Sequence, residues 1–251
     1  MSHSKNTTVI AFTDSHLQLV QSTASSRGAV ISSYSSVGID NISDNHVSQS
    51  LTKLLSGKTS RLKQSTLIGV LPRAPMLVRY LMLPSHQEAE LRSMVDLQIT
   101  KHIPYAREDV IIDLNIVEKE SSGYSKVLVI VYPKDIVHRY LKICTMASIA
   151  PQILTVGPLG SVNWYLELLK KKIFQDYGTS VLIDVQPSST EVVFCIHHKF
   201  AFARTIKLGA LEIANGKSHD LVHQIDQTIA VFLREKLSEK VDQFILIGFK
   251  I

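Results

Sequence analysis

Apolar residues recur along the chain with two periods, and the period identifies the element. Residues 8–20, 28–39 and 65–71 are rich in Val, Ile, Thr and Leu and are separated by Ser/Gly stretches, which predicts strands. Between the second and third, Val47, Leu51, Leu54 and Leu55 share one face of a helix over 43–55 that Gly57 stops. Residues 76–83 read as a strand closed by Pro84. Ser85-His86-Gln87-Glu88 has the form of a capping box, the hydroxyl taking an orphan amide and the Glu reaching back. The helix that follows carries Leu91, Met94, Val95, Ile99 and His102 on one side and ends at Pro104. Its wet side spaces Glu88/Arg92 and Arg92/Asp96 for i,i+4 pairs. Strands at 109–118 and 124–132 flank Ser121-Ser122-Gly123 as a hairpin, and Pro133 opens a helix that buries Ile136, Val137, Tyr140, Leu141 and Cys144. The β-α-β-β-α order from 76 to 148 predicts one subdomain.

After Pro151 a strand at 152–156 leads through Gly157-Pro158 into a long helix. Leu159, Val162, Leu166, Leu169 and Ile173 recur on one face of it, and Tyr177-Gly178 ends it. Three strands follow at 180–185, 190–197 and 199–207. A helix capped by Ser218 then turns Leu221, Val222, Ile225, Ile229, Phe232, Leu233 and Leu237 inward, and a last strand covers 243–247. Residues 9–20 and 181–193 echo one another as strand, polar turn, strand, each opening one half of the chain. Such a duplication is what a two-lobed nucleotide-cleft fold would carry.

Composition narrows the class. Over 251 residues, 45% hydrophobic and 20% charged are globular values, which exclude a disordered chain and a disulfide miniprotein. The net charge of +5 is mild and scattered; the longest basic run, Lys170-Lys171-Lys172, ends a helix, where cations complement the dipole. Cys144 and Cys195 lie far apart inside apolar runs and read as reduced core residues of a cytosolic protein. The first residues lack the apolar core of a signal peptide, and no apolar stretch approaches the roughly 18 residues of a spanning helix. The last residues read as a strand running off the end, so the expectation is a truncated second half, with a membrane segment able to follow Ile251 in a longer parent.

Candidate chemistry is sparse. The Walker, dinucleotide, zincin and nucleophile-elbow motifs are missing. His197-His198 would point to opposite faces of a strand and read as an exposed turn, not a metal pair. Trp164 reads as a packed aromatic. The strands of the β-α-β-β-α block carry no aromatic pair of the kind that stacks RNA bases, which argues against a nucleic-acid partner. No residue set argues for a catalytic or metal site.

Three stretches carry a family resemblance. They are Leu71-Pro72-Arg73 through Arg79 to Leu83-Pro84; Glu90-Leu91-Arg92 with Met94 and Gln98; and Ile103-Pro104-Tyr105 through Asp113. Together they resemble the type IV pilus assembly protein PilM and its type II secretion relative GspL. Val181-Leu182-Ile183-Asp184, Ser188-Ser189-Thr190-Glu191 and Arg204 to Gly209 resemble a second segment of that family. The resemblance implies an α/β, actin-like (ribonuclease H-like) two-lobed fold. One lobe would hold 1–72 and 151–178, an inserted βαββα subdomain 73–150, and a truncated second lobe 179–251.

It also implies a cytoplasmic adaptor at the inner face of the bacterial inner membrane. Its expected partners are the N-terminal domain of a PilB- or GspE-like motor ATPase and the cytoplasmic tail of a PilN- or GspM-like membrane protein, with a homodimer allowed. Leu71, Arg73, Arg79 and Leu83 are the partner-contact candidates. Vestigial nucleotide positions are Asp14, Ser15, Gln18, Asp184, Ser188, Ser189, Thr190 and Gly248. The sequence departs from an actin-like phosphate cradle. Ala11, Thr13 and Gln18 stand where Asp, Gly and Lys are expected, and Gln186-Pro187 replaces a glycine step. Side chains block the backbone approach to phosphate, and proline lacks an amide. The expectation is therefore no catalytic activity and weak or no binding of ATP, with ATP and magnesium not favoured as cofactors. The alternative, a working actin-like ATPase, rests on Asp184, Ser188, Ser189 and Thr190.

Overall fold

The computed structural model describes residues 6–13, 16–25, 28–39, 43–58, 62 and 64–248. Its contacts gather into two compact units, Met1–Pro72 with Pro133–Gly157, and Arg73–Tyr132 with Pro158–Ile251.

In the first unit, β1 (Asn6–Phe12), β2 (His16–Ser25), β3 (Gly28–Gly38), β4 (Ser65–Leu71) and β8 (Ile153–Val156) form a sheet in the order β3-β2-β1-β4-β8. β1 and β2 are antiparallel with Ala11 opposite Gln18, whereas β1 and β4 run parallel. Helix α1 (Asp44–Leu55) begins at Ser43, whose hydroxyl accepts the His46 amide. Helix α3 (Lys134–Met146) lies against α1. Ile10, Leu17, Leu19 and Leu67 of the sheet close on Val47 and Leu51 of α1 and Ile143 of α3. Each such fully buried side chain contributes roughly 1.5–3 kcal/mol. The sequence reading grouped α3 with the inserted block. Its apolar face instead completes the core of the first unit, because Ile143 and Ala147 recur at helical spacing on the side that meets α1.

The second unit holds two sheets. β5 (Leu77–Leu83), β6 (Val110–Lys119) and β7 (Ser125–Pro133) pair in the order β5-β7-β6. Helix α2 (Glu88–Gln98) buries Leu91 and Val95 against Leu81, Val127 and Val129 of that sheet. The expected capping box does not form. Ser85 Oγ accepts the Gln87 amide at 3.0 Å and donates to the Glu90 carboxylate, which leaves Glu88 to pair with Arg92 at 2.9 Å. Arg92 also meets Asp113, and Asp96 is taken by Arg107 at 2.7 Å.

The other sheet contains β9 (Thr179–Val185), β10 (Thr190–Ile196), β11 (Lys199–Ile206) and β12 (Gln243–Gly248), in the order β11-β10-β9-β12. Helix α6 (Ser218–Arg234) covers one face, Phe232 stacking on Phe194 with centroids 4.1 Å apart. Helix α4 (Gly157–Lys170) meets the other, where Tyr165 Oη shares a 2.8 Å hydrogen bond with Ser180 Oγ and accepts one from Gln243 Nε2 at 2.6 Å. A short helix α5 (Ala210–Ala214), not foreseen in the sequence, follows β11. α4 stops at Lys170, with Lys172 at φ 57°, so Ile173 is 61% exposed and not on the buried stripe. Val222 is likewise turned outward. His197 and His198 make the exposed turn between β10 and β11, both at positive φ.

The echo read in the sequence is a structural repeat. Both sheets place their first strand beside an antiparallel second, with the third outside it, and pair the first in parallel with the fourth. Among the described residues no helix is long and apolar enough to cross a membrane.

Candidate functional site

The resemblance places an actin-like phosphate cradle at the opening turns of the two sheets, and the described residues of each hydrogen-bond within their own unit. In the first unit, Thr13 carries the turn. Its amide donates to the His16 carbonyl at 2.9 Å, and its hydroxyl donates to the same carbonyl at 3.1 Å while accepting the His16 amide at 2.9 Å. Gln18 is half-buried in β2. Asp14 and Ser15 lie outside the described residues.

Beside this turn is a pocket of about 360 Å³ within the first unit. Phe12 and Tyr140 lie against one another with centroids 4.4 Å apart, and Ile39, Val47, Ile136 and Ile143 supply apolar walls. Tyr140 is fixed from two sides. Its hydroxyl donates to the Ile10 carbonyl at 3.0 Å, and its ring crosses Gly69, where any Cβ would come within 2.7 Å of Tyr140 Oη. Burial pushes the Tyr140 hydroxyl well above its ordinary pKa, so it stays a neutral donor. Arg139 also lines the pocket, with Nε 2.9 Å from Asp44 Oδ1; Lys142 Nζ holds Asp44 Oδ2 at 2.9 Å. Hydrogen bonds from these two cations hold the Asp44 carboxyl below its usual range. Arg139 thus sets a guanidinium, held by Asp44, beside an apolar cavity.

In the second unit, Asp184 ends the buried run of β9. Burial raises its carboxyl, opposed by a 3.2 Å hydrogen bond from Gln186 Nε2. The turn from Gln186 to Ser189 then folds onto the start of α5. The Gln186 amide donates to the Ser189 carbonyl at 2.9 Å, while the Ala210 and Leu211 amides donate to the Gln186 and Pro187 carbonyls at 2.8 and 3.0 Å. Glu212 accepts the Gly209 amide at 2.8 Å, and Thr190 Oγ1 donates to the Leu208 carbonyl at 2.7 Å. Ser188 is exposed, Ser189 half-buried, and Gly248 ends β12 beside Val185. Asp184, Ser189 and Thr190 are thus brought together at one turn.

The partner-contact candidates fare differently. Leu71 and Leu83 are buried core residues, because both fall on inward positions of their strands. Arg73 is also buried: Nη1 donates to the Met76 carbonyl at 2.6 Å and Nη2 to that of Ala203. Burial lowers its pKa to about 10, which still leaves it charged at neutral pH. Leu71 and Leu83 therefore present no contact face. Arg79 is half-buried, with hydrogen bonds to the carbonyls of His102 and Val78 at 2.8 Å. Sequence reasoning missed the pocket residues Phe12, Ile39, Arg139 and Tyr140, whose only sequence signal was an aromatic just before a polar turn.

A family model described as type IV pilus assembly protein PilM matches residues 14–216. Among solved structures, the PilM-PilN type IV pilus biogenesis complex aligns with a TM-score of 0.76 at 16% identity, covering 98% of this chain and 81% of that one. The cytoplasmic domain of EpsL, an inner membrane component of the Vibrio cholerae type II secretion system, aligns at 0.53 and 8% identity over 81% and 71%. A Bacteroides thetaiotaomicron protein with an actin-like ATPase fold and unknown function aligns at 0.52 and 11% over 98% and 83%. No curated protein matches the sequence. The fold is actin-like, as the resemblance implied.

Proposed function

The chain belongs to the type IV pilus assembly protein PilM family, and from that premise we propose that it is a cytoplasmic adaptor of a pilus or secretion assembly platform. In this reading it holds the cytoplasmic tail of a PilN-like membrane protein, which keeps it at the inner face of the membrane, and couples that protein to a motor ATPase. The observation that carries the reading is the apolar pocket beside Thr13, with Arg139 among its lining residues, in a structure similar to a PilM-PilN complex. An extended tail would seat an apolar anchor among Phe12, Ile136 and Tyr140, and Arg139 would favour a carboxylate or carbonyl nearby.

The nucleotide is assigned no role. Its phosphates would need free amides, whereas those of Thr13, His16, Ala210 and Leu211 already donate to the chain itself. Glu212 would add repulsion beside the second turn. These engaged amides support a reading in which the chain works without a triphosphate, and the adaptor reading contains no catalytic step.

The test is anisotropy titration of a labelled PilN-type tail peptide with the full chain. Ile136→Asp, which places a carboxylate in the apolar wall, is expected to weaken binding at least tenfold, about 1.4 kcal/mol. Unchanged affinity would remove the pocket from the reading, and tight calorimetric binding of Mg·ATP would overturn the non-enzymatic part. A pull-down with the N-terminal domain of the motor tests the other partner.

A further inference from the structure

In the second unit, α4 carries more apolar surface than it buries. Pro158, Val162 and Tyr165 face inward. Trp164, which the sequence reads as a packed aromatic, is 43% exposed, and Ile173 and Tyr177 just beyond the helix are 61% and 54% exposed. The helix closes in a Schellman motif: the Lys172 amide donates to the Leu169 carbonyl and the Ile173 amide to that of Leu168, both at 2.9 Å, with Lys172 at φ 57°. An apolar residue in the place of Ile173 ordinarily packs back on the last helical turn, whereas here it stands in solvent.

These side chains are held in place. The Phe174 ring lies 6.4 Å from that of Trp164 and 6.2 Å from that of buried Tyr165, centroid to centroid. Tyr177 Oη donates to Gln175 Oε1 at 2.6 Å, the Gly178 amide to Asp176 Oδ1 at 3.0 Å, and Gln243 Nε2 of β12 to the Gln175 carbonyl at 3.1 Å. Lys170, Lys171 and Lys172 stand exposed among the apolar groups. Two carboxylates share the segment. Lys170 Nζ holds Glu167 at 2.7 Å, and Asp176 Oδ2 lies 2.7 Å from His198 Nε2. Among the described residues Lys172 makes no ion pair.

We propose that residues 164–177 rest on an anionic lipid surface. Tryptophan and tyrosine settle at headgroup level, where the ring is dry and its polar edge wet, and Ile173 reaches the acyl boundary beneath. The lysine stems cover apolar surface while their ammonium groups meet lipid phosphates, so the charge complements an anionic leaflet. The choice of cation favours lipid over protein. Protein interfaces rich in aromatics enrich arginine and deplete lysine, and the cations of 164–177 are all lysines. The contact is peripheral, since no helix among the described residues can cross a membrane. It does not rest on the tail-binding pocket, which belongs to the other unit.

Trp164 is the chain's one tryptophan, so its emission reports on this surface alone. The full chain is mixed with vesicles of phosphatidylglycerol and phosphatidylethanolamine, with phosphatidylcholine vesicles as the control. Co-sedimentation with the anionic vesicles is expected, with a blue shift of Trp164 emission and quenching by lipids brominated on their acyl chains. The partition coefficient should fall about tenfold or more when Lys171→Glu and Lys172→Glu are combined, and likewise for Ile173→Asp. All three side chains are exposed, so these variants should keep the wild-type unfolding midpoint. Ile136→Asp should leave lipid binding unchanged even if it abolishes tail binding. Failure to co-sediment, equal partition into phosphatidylcholine, co-sedimentation without an emission shift, or loss on Ile136→Asp would overturn the proposal. So would a blue shift that grows with protein concentration in the absence of lipid, which would make this surface a contact between copies of the chain.

Discussion

Gly209→Ala isolates the packing of the second turn. Gly209 has φ −129° and ψ −162°, extended backbone that alanine adopts freely, so the substitution carries no conformational penalty of its own. The obstruction is contact. An added Cβ would stand 2.4 Å from the Gln186 carbonyl oxygen, 2.5 Å from the Ser189 nitrogen and 2.6 Å from the Pro187 carbonyl oxygen. All three are backbone atoms and cannot rotate away, so the turn must retreat by about 1 Å to regain ordinary contact distances. That movement stretches the hydrogen bonds from Ala210 and Leu211, which begin at 2.8 and 3.0 Å. Two bonds at about 1 kcal/mol each, with about 1–2 kcal/mol of overpacking, give an expected loss of about 3–4 kcal/mol. Urea denaturation followed by circular dichroism reads this as a lower midpoint at unchanged slope. Gly160→Ala is the matched control. It lies in α4 with nothing within 4 Å of the added Cβ, and should stabilise by about 0.5–1 kcal/mol. If Gly209→Ala proved as harmless as Gly160→Ala, the turn would not be docked on α5 as described.

Three further outcomes follow from burial. Asp184→Asn should raise the melting temperature at pH 7: a carboxyl raised by burial favours the folded state while protonated, and that advantage is lost as pH climbs from the ordinary 3.8 through the folded value. The gain should fade towards pH 3, and a constant difference across pH would refute the burial account. Burial pushes the Cys144 and Cys195 thiols up to about 12 and about 11, so neither should react with a thiol reagent at pH 8 until denaturant is added, when both should; rapid native labelling would contradict this. Phe232→Ala removes a fully buried ring stacked on Phe194 and should cost about 3–5 kcal/mol in the same urea assay, a loss below 1 kcal/mol being incompatible with the packing described.

The elements legible in the sequence were those with a sustained apolar period and a hard stop. α1 runs from its serine cap to the turn before Gly57, and β5 closes before Pro84. Ends fixed by competition between side chains were not legible. Ser85 and Glu88 fit a capping box, but Glu90 and Arg92 offered each a stronger charged partner. The stripe predicted to carry α4 through Ile173 stops at Lys170, where a residue in the left-handed region turns the chain away. The pocket was illegible for another reason. Phe12, Ile39, Val47 and Tyr140 come from four separated elements, and each looks like an ordinary core residue until the fold leaves a space between them. Leu71 and Leu83 illustrate the converse: a motif marks a family without marking its surface, since its apolar letters serve the core.

The adaptor we propose would have exchanged a ligand cradle for docking surfaces on one scaffold, and the hydrogen bonds around the two turns suggest how its architecture could survive the exchange. A phosphate cradle depends on backbone donors held without partners until the ligand arrives, and each such donor, when buried, costs about 1–3 kcal/mol. In a chain that binds no phosphate, any substitution that lets a donor find an internal acceptor stabilises the fold. Thr13 supplies an acceptor to the His16 amide from its own hydroxyl, and the turn at Gln186 and Pro187 supplies two carbonyls to the start of α5. These bonds lie within single units, so each half can close independently of the other. The strand orders that define the repeat are untouched, because they depend on ladders and on the apolar faces beneath them. Open sheet edges and apolar pockets are not satisfied by such local rearrangement. They need another chain, which is why we propose recognition at the apolar pocket beside Tyr140.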